Sequence, residues 1–184
     1  RSGVDSTSAG DNRITPVGHF IRRCKLDEVT QLWNVLIGDM SLVGPRPNVE
    51  RETKLYTAAE QDLLSVKPGI TDYASIVFAD EGEILREHPD PDLGYNQLIR
   101  PWKSRLGLFY ISHSGVLLNL KLVILTALAI VSRERALAAV ASDLQKRGAP
   151  AELVRIALRR DQLVPHAPPG AGQVVTSRDE SLAA

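Results

Sequence analysis

The run VLLNLKLVILTALAIV, residues 116–131, is the most apolar stretch of the chain and leaves it few fates. A helix that spans a bilayer needs about 20 consecutive apolar residues. Asn119 and Lys121 stand near the start of this run, and its uninterrupted apolar part is too short to cross. Two readings stay open. One is a helix buried in the core of a globular domain. The other is a helix lying in or near a membrane interface. In that case Arg133, Arg135, Lys146, Arg147, Arg155, Arg159 and Arg160 would suit anionic headgroups, as they would equally suit a solvated helix face.

The rest of the chain is patterned mainly as helix. Pro16 suits a first helical turn, and VGHFIRR continues it to about Cys24. Asp27 is a helix N-cap candidate. Beyond it Val29, Leu32, Trp33 and Leu36 recur at i, i+3, i+4 and i+7, one face of a helix that Gly38 would stop. MSLV is a short extended run and GPRP a stiff loop. Residues 48–65 read as helix in two pieces broken near Thr57, and Pro68-Gly69 as a turn. ITDYASIVF, rich in β-branched and aromatic residues, is the best strand candidate. Residues 95–111, the apolar run and the stretch to Arg147 are helical in composition. Gly148-Ala149-Pro150 breaks them before a short helix to about Arg160. The expected class is α+β, predominantly α-helical with little strand. One domain is expected over residues 1–164, with a disordered tail over 165–184.

Charge and cysteine content exclude several functions. Lys and Arg together number 22, as do Asp and Glu, so no basic surplus points to nucleic acid. Cys24 is alone, which rules out a disulfide framework and a cysteine metal cluster. His19, His88, His113 and His166 are scattered without metal-ligand spacing. No signal peptide is visible, and the chain begins at Arg1.

The chemistry-bearing stretch is KLDEVTQLWNVLIGDMSLVGPRP, residues 25–47. At 100° per residue Asp27 falls opposite the apolar stripe, on the side of Gln31 and Asn34, with Glu28 at the flank. A helix N-terminus favours an ionised carboxylate, and such a carboxylate can attack phosphorus. A neighbouring carboxylate can act as base, orient a group or share a metal ion. Two anions meeting need positive charge from Mg²⁺, Arg or Lys. Arg22, Arg23 and Lys25 precede the pair, and Arg46 follows it between Pro45 and Pro47, which restrict the backbone. A guanidinium held this way contacts phosphate with little entropy left to lose. The plainer reading is a helix cap, a surface turn and solvated charges. On the residues alone this is a phosphate site with paired carboxylates, or no site.

LDEVTQLWNVLIGDMSLVGPRP followed by VKPGIT, with DNRITPVGHFIRR upstream, resembles the signature of the bacterial sugar transferases over roughly residues 11–131. These are monotopic polyprenyl-phosphate phosphoglycosyl transferases. The resemblance implies that Asp27 attacks the β-phosphate of a nucleotide-diphosphate sugar, usually a UDP-sugar. UMP leaves, and undecaprenyl phosphate then takes the phosphosugar from the enzyme. Glu28 matches the second carboxylate, Asp27 the Mg²⁺ ligand, and Arg22 and Arg46 the phosphate-neutralising positions. It implies work on exopolysaccharide or another glycan at the cytoplasmic face of the bacterial inner membrane.

The chain departs from the family pattern in several places. The N-terminal re-entrant membrane helix and the basic run after it are absent from this sequence. Thr30 replaces a Pro, DYASIVF follows VKPGIT where relatives read Gly-Leu and then Gln-Val, and Asn119 stands where Asp is common. The class is untouched by these changes, and the sugar stays open. A truncated copy that keeps the fold without catalysis, as an inactive or scaffold protein, is the alternative expectation.

Overall fold

The computed structural model of the chain describes residues 26–46, 50–86 and 88–177, with backbone alone at 26–30, 50 and 51. The helix expected from Pro16 to Cys24, Arg22 and residues 178–184 lie outside the described residues. Helix α1 spans Leu26–Leu36. Gly38, at φ +87°, ends it, a conformation glycine adopts without steric cost. The amides of Asp39 and Met40 both donate to the Asn34 carbonyl, so the chain reverses tightly into strand β1, Ser41–Val43. The apolar stripe of α1 is not buried as its spacing suggests: Trp33 is 65% and Leu36 79% exposed. α1 packs against β1, and that contact leaves the stripe open.

The expected break near Thr57 is a helix start. Short helix α2, Glu50–Thr53, is followed by α3, Ala58–Gln61, and a 3₁₀ turn over Asp62–Ser65. The Thr57 side chain accepts from the Glu60 amide while the Glu60 carboxylate accepts from the Thr57 amide, a reciprocal cap. Strand β2 is only Gly69–Thr71, parallel to β1 with Ser41 opposite Gly69 and Val43 opposite Thr71. The rest of the expected strand is helix α4, Tyr73–Val77. Asp72 caps it, accepting from the Ser75 amide while the Ser75 hydroxyl caps back. Tyr73, Ala74, Ile76 and Val77 are all buried, so this five-residue helix shows no polar face and resembles a strand in composition.

Helices α5 (Glu81–Arg86) and α6 (Pro91–Gly94) lead through a π turn, Tyr95–Ile99, into α7, Arg100–His113. Then come α8 (Val116–Val131), α9 (Arg133–Lys146) and α10 (Ala151–Leu158). α9 and α10 form a hairpin around Gly148, at φ +79°. The core lies between α4, α7, α8, α9 and α10, around Ile76, Val77, Trp102, Leu106, Leu122, Val140, Leu144 and Leu153. At its edge Asp143 of α9 accepts from Tyr73, from Lys121 at 2.5 Å and from Arg147 at 2.9 Å. Burial raises the affinity of Asp143 for a proton. The hydrogen bonds from Lys121, Tyr73 and Arg147 together outweigh burial and hold its pKa below the usual value.

The apolar run is helix α8, buried on one face and exposed on the other. Leu118, Leu122 and Leu125 are buried in the core. Val116, Leu117, Leu120, Ile124, Ile130 and Val131 form an exposed apolar face on the other side. No helix among the described residues is long and apolar enough to cross a membrane.

Residues 165–177, the described part of the tail expected from Pro165, cross α7 with defined contacts. Pro101 has no N–H for the Gln97 carbonyl four residues back, and the His166 amide donates to that carbonyl instead, at 3.0 Å. The His166 ring packs on Trp102, with centroids 4.5 Å apart, and Arg105 donates to the Ala167 carbonyl. Thr57 donates to the Pro169 carbonyl, Gln97 donates to the Val175 carbonyl, and Val175 is buried. The proline and glycine content that suggests disorder here lets an extended strap follow a helix surface.

Candidate functional site

Asp27 and Glu28 fall in the first turn of α1, inside the helix rather than at its cap. Their backbone position is the one at which a helix dipole favours an anion. Their side chains, like Arg22, lie outside what is described. Arg46 is exposed just past β1. The described part of the candidate site is therefore the loop that carries Arg46 and the structure beneath it.

That loop is clamped. The Gly44 amide donates to the Thr71 carbonyl at 2.9 Å, and the Gly69 amide to the Pro45 carbonyl at 3.1 Å. Gly44 and Gly69 touch backbone to backbone: a Cβ on Gly69 would collide with the Gly44 backbone, and one on Gly44 would sit 2.8 Å from the Lys67 carbonyl. The Ser41 amide donates to the Pro68 carbonyl at 2.8 Å. Lys67 donates to the Gly38 carbonyl at 2.7 Å, placing a cation at the C-terminal end of α1, where the dipole favours it. VKPGIT thus secures both the end of α1 and the start of the arginine loop.

From below, α7 presents Gly107 and Tyr110, three residues apart on one face. A Cβ on Gly107 would lie 3.6 Å from Pro45 and 2.7 Å from Leu63, so the bare glycine lets the loop sit close. The Tyr110 hydroxyl lies 3.1 Å from the Val43 carbonyl and 2.8 Å from Asn119 Oδ1 of α8. Burial, with the Asp72 carboxylate nearby, raises the Tyr110 pKa, so the hydroxyl keeps its proton. Asp72 itself is pushed up by burial and drawn back by its bonds from Ser75. The Thr71 and Thr126 hydroxyls meet at 2.6 Å, a second tie between β2 and α8. None of these partnerships shows in the spacing of the sequence. The Asp72-x-x-Ser75 cap is the one signal that was there to be read.

Among the described residues no three His, Cys, Asp or Glu side chains gather as a metal site. Asp27 and Glu28, the carboxylates that the family resemblance sets beside Mg²⁺, have side chains outside the described residues. They are oxygen ligands of the kind that bind the ion together with substrate phosphates.

A sequence model of the bacterial sugar transferases matches residues 2–133, which includes the Asp27-Glu28 pair, the Arg46 loop, both strands, α7 and α8. The chain belongs to the bacterial sugar transferase family. It is 32% identical over 138 residues to the UDP-glucose:undecaprenyl-phosphate glucose-1-phosphate transferase of Xanthomonas campestris pv. campestris, covering 72% of this chain and 26% of that protein. It is 35% identical over 122 residues to the uncharacterized sugar transferase EpsL of Bacillus subtilis, covering 66% and 52% respectively. Over 61 residues it is 57% identical to the undecaprenyl-phosphate galactose phosphotransferase of Salmonella typhimurium, covering 33% of this chain and 13% of that protein. The sugar transferase chain thus spans about half the length of these relatives or less. No solved structure matches it. Within the family match, α1, β1, the arginine loop and β2 form one connected unit that carries both the carboxylates and Arg46.

Proposed function

We propose that this sugar transferase moves a phosphosugar from a UDP-sugar to undecaprenyl phosphate by way of Asp27. An oxygen of the Asp27 carboxylate attacks the β-phosphorus. The bond from that phosphorus to the oxygen bridging the two phosphates breaks, and UMP leaves with the electron pair. A phosphate oxygen of undecaprenyl phosphate then attacks the same phosphorus and releases Asp27, giving undecaprenyl diphosphosugar. Glu28 orients the incoming group or takes its proton. Arg46, with Arg22, faces the phosphate charge that builds between two anions. Mg²⁺, held by Asp27 with Glu28 beside it, would neutralise diphosphate charge.

The observation that carries this reading is the clamped loop presenting an exposed Arg46 after a reversal from α1. The relatives' names, which specify undecaprenyl-phosphate sugar transfer for those proteins, support the same reaction.

The lipid acceptor calls for a membrane surface, and we assign it to the cytoplasmic face of the bacterial inner membrane. The exposed apolar residues of α1 and the turn after it (Leu32, Trp33, Leu36, Ile37) and of α8 (Leu117, Leu120, Ile124, Val131) support this placement. The decisive experiment is UMP release from a UDP-sugar by the natural full-length protein in membranes. Asp27→Asn is expected to abolish it, and normal turnover by that variant would end the nucleophile assignment. Arg46→Lys is expected to slow it on the order of 10²-fold, as for loss of a transition-state donor. Unchanged kinetics would remove Arg46 from the site.

A further inference from the structure

We propose that Tyr110, braced by Asn119, is a positioning residue that sets the direction in which Arg46 is presented. The inference rests on the reading of Arg46 as a phosphate contact. It begins from burial. Tyr110 is 4% exposed, so its hydroxyl needs protein partners, and those it has belong to two other elements. One is the carbonyl of Val43, the last residue of β1, three residues before Arg46. The other is Asn119 in the first turns of α8. The one O–H proton is shared between these two acceptors, so a single hydroxyl links α7 to α8 and to the strand end from which the arginine loop departs.

The loop has few other means of holding its course. Pro45 lacks an N–H, so between Val43 and Arg46 only Gly44 offers a backbone donor, and that donor is spent on Thr71. The Pro45 carbonyl is tied to Gly69. Both bonds draw the loop sideways, toward β2. Support from beneath comes from α7, through Gly107 against Pro45 and Tyr110 against Val43. Removing the hydroxyl leaves the aromatic ring packed and cancels the ties to the Val43 carbonyl and to Asn119. Arg46 would keep its charge and lose its fixed approach, and a bidentate contact depends on approach.

The test has two arms, both on Tyr110→Phe. In amide hydrogen exchange, Gly44 and Gly69 are expected to exchange about tenfold faster, with α9 amides such as Val140 unchanged. No acceleration at Gly44 and Gly69 overturns the inference. In calorimetric titration with UDP, the substitution is expected to weaken binding about fivefold when Arg46 is present and not at all in an Arg46→Ala background. Equal weakening in both backgrounds shows that the hydroxyl acts elsewhere. That overturns the inference and leaves the phosphate site standing. UDP binding that is absent from the unaltered protein, or unaffected by Arg46→Ala, removes the phosphate reading and this inference with it.

Discussion

Arg46 and Arg100 carry the same guanidinium in opposite settings. Arg100 is buried, and its donors are spent on the fold: Nε and Nη2 on Glu60 at 3.0 and 2.6 Å, Nη1 on Asn96 at 3.0 Å, Nη2 also on the Leu55 carbonyl at 2.6 Å. Ser104 and the Thr57 amide complete the Glu60 carboxylate. Arg46 is exposed, with no hydrogen bond or ion pair to it among the described residues. What is fixed there is the backbone, through Gly44, Pro45 and the strand pairing. An arginine that holds a fold has its head group consumed. One suited to a ligand has its stem anchored and its head group unspent.

The comparison breaks first at Glu60. Glu60→Gln leaves the buried Arg100 charge uncompensated, and loss of one partner of such a pair costs about 3–5 kcal/mol. Urea denaturation measures it, and a loss below about 1 kcal/mol would mean that Arg100 is not the fold's fastening. The same variant should leave UDP affinity unchanged in whatever fraction stays folded.

Gly69→Ala attacks the other region through its backbone. The added methyl meets Gly44, a backbone neighbour that cannot swing aside, and overpacking of this kind costs about 1–3 kcal/mol. Here the stability loss is expected to come with loss of UDP binding, because the strand contact and the arginine loop are one structure. A variant that is destabilised yet binds UDP normally would separate the two and break the account of the clamp.

These two sites also mark what was legible in the sequence. The helical spacing of Leu32, Trp33 and Leu36, the Gly38 stop and the break at Thr57 all rest on local rules and hold in the structure. ITDYASIVF misled because four of the five residues of α4 are buried, so composition pointed to strand while the Asp72–Ser75 cap decided for helix. The exposed stripe of α1 misled because periodicity shows that a helix has an apolar face, not what covers it. For the site, spacing suggested phosphate chemistry at Asp27, Glu28 and Arg46, and the family resemblance supplied the roles. The support was invisible: Tyr110 and Val43 are 67 residues apart, Arg100 and Glu60 40, and no local pattern records such pairs.

A smaller effect sharpens the Arg100 side. Glu52 lies in the field of Arg100 without being its partner. Burial raises its pKa from 4.5 to about 7; Lys103 opposes this, and Glu81 and Asp92 add to it. Because the folded-state value is the higher one, Glu52 contributes stability that is complete below the unfolded value of 4.5 and is lost as pH rises through about 7. Asp143, with its pKa depressed, loses its contribution only at pH below this window. Glu52→Gln should therefore flatten stability between pH 5 and 8 and leave the variant about 1 kcal/mol more stable than the parent at pH 8. Parallel stability curves for the two proteins across this range would remove Glu52 as the source.

The smallest expected change is the most telling for the comparison. Arg46→Ala removes a full side chain and a charge, yet an exposed group without a partner among the described residues contributes within about 0.5 kcal/mol of nothing to stability. The clamp acts on Gly44 and Pro45, upstream of the substituted side chain, so the loop keeps its course. Thermal or urea unfolding of Arg46→Ala should overlay the parent while UDP binding falls. Arg100→Ala should behave oppositely, unfolding early because it strands the Glu60 carboxylate. If Arg46→Ala is destabilised by an amount comparable with Arg100→Ala, its guanidinium belongs to the fold, and the distinction between an anchored stem and a spent head group fails at the residue on which the proposed site depends.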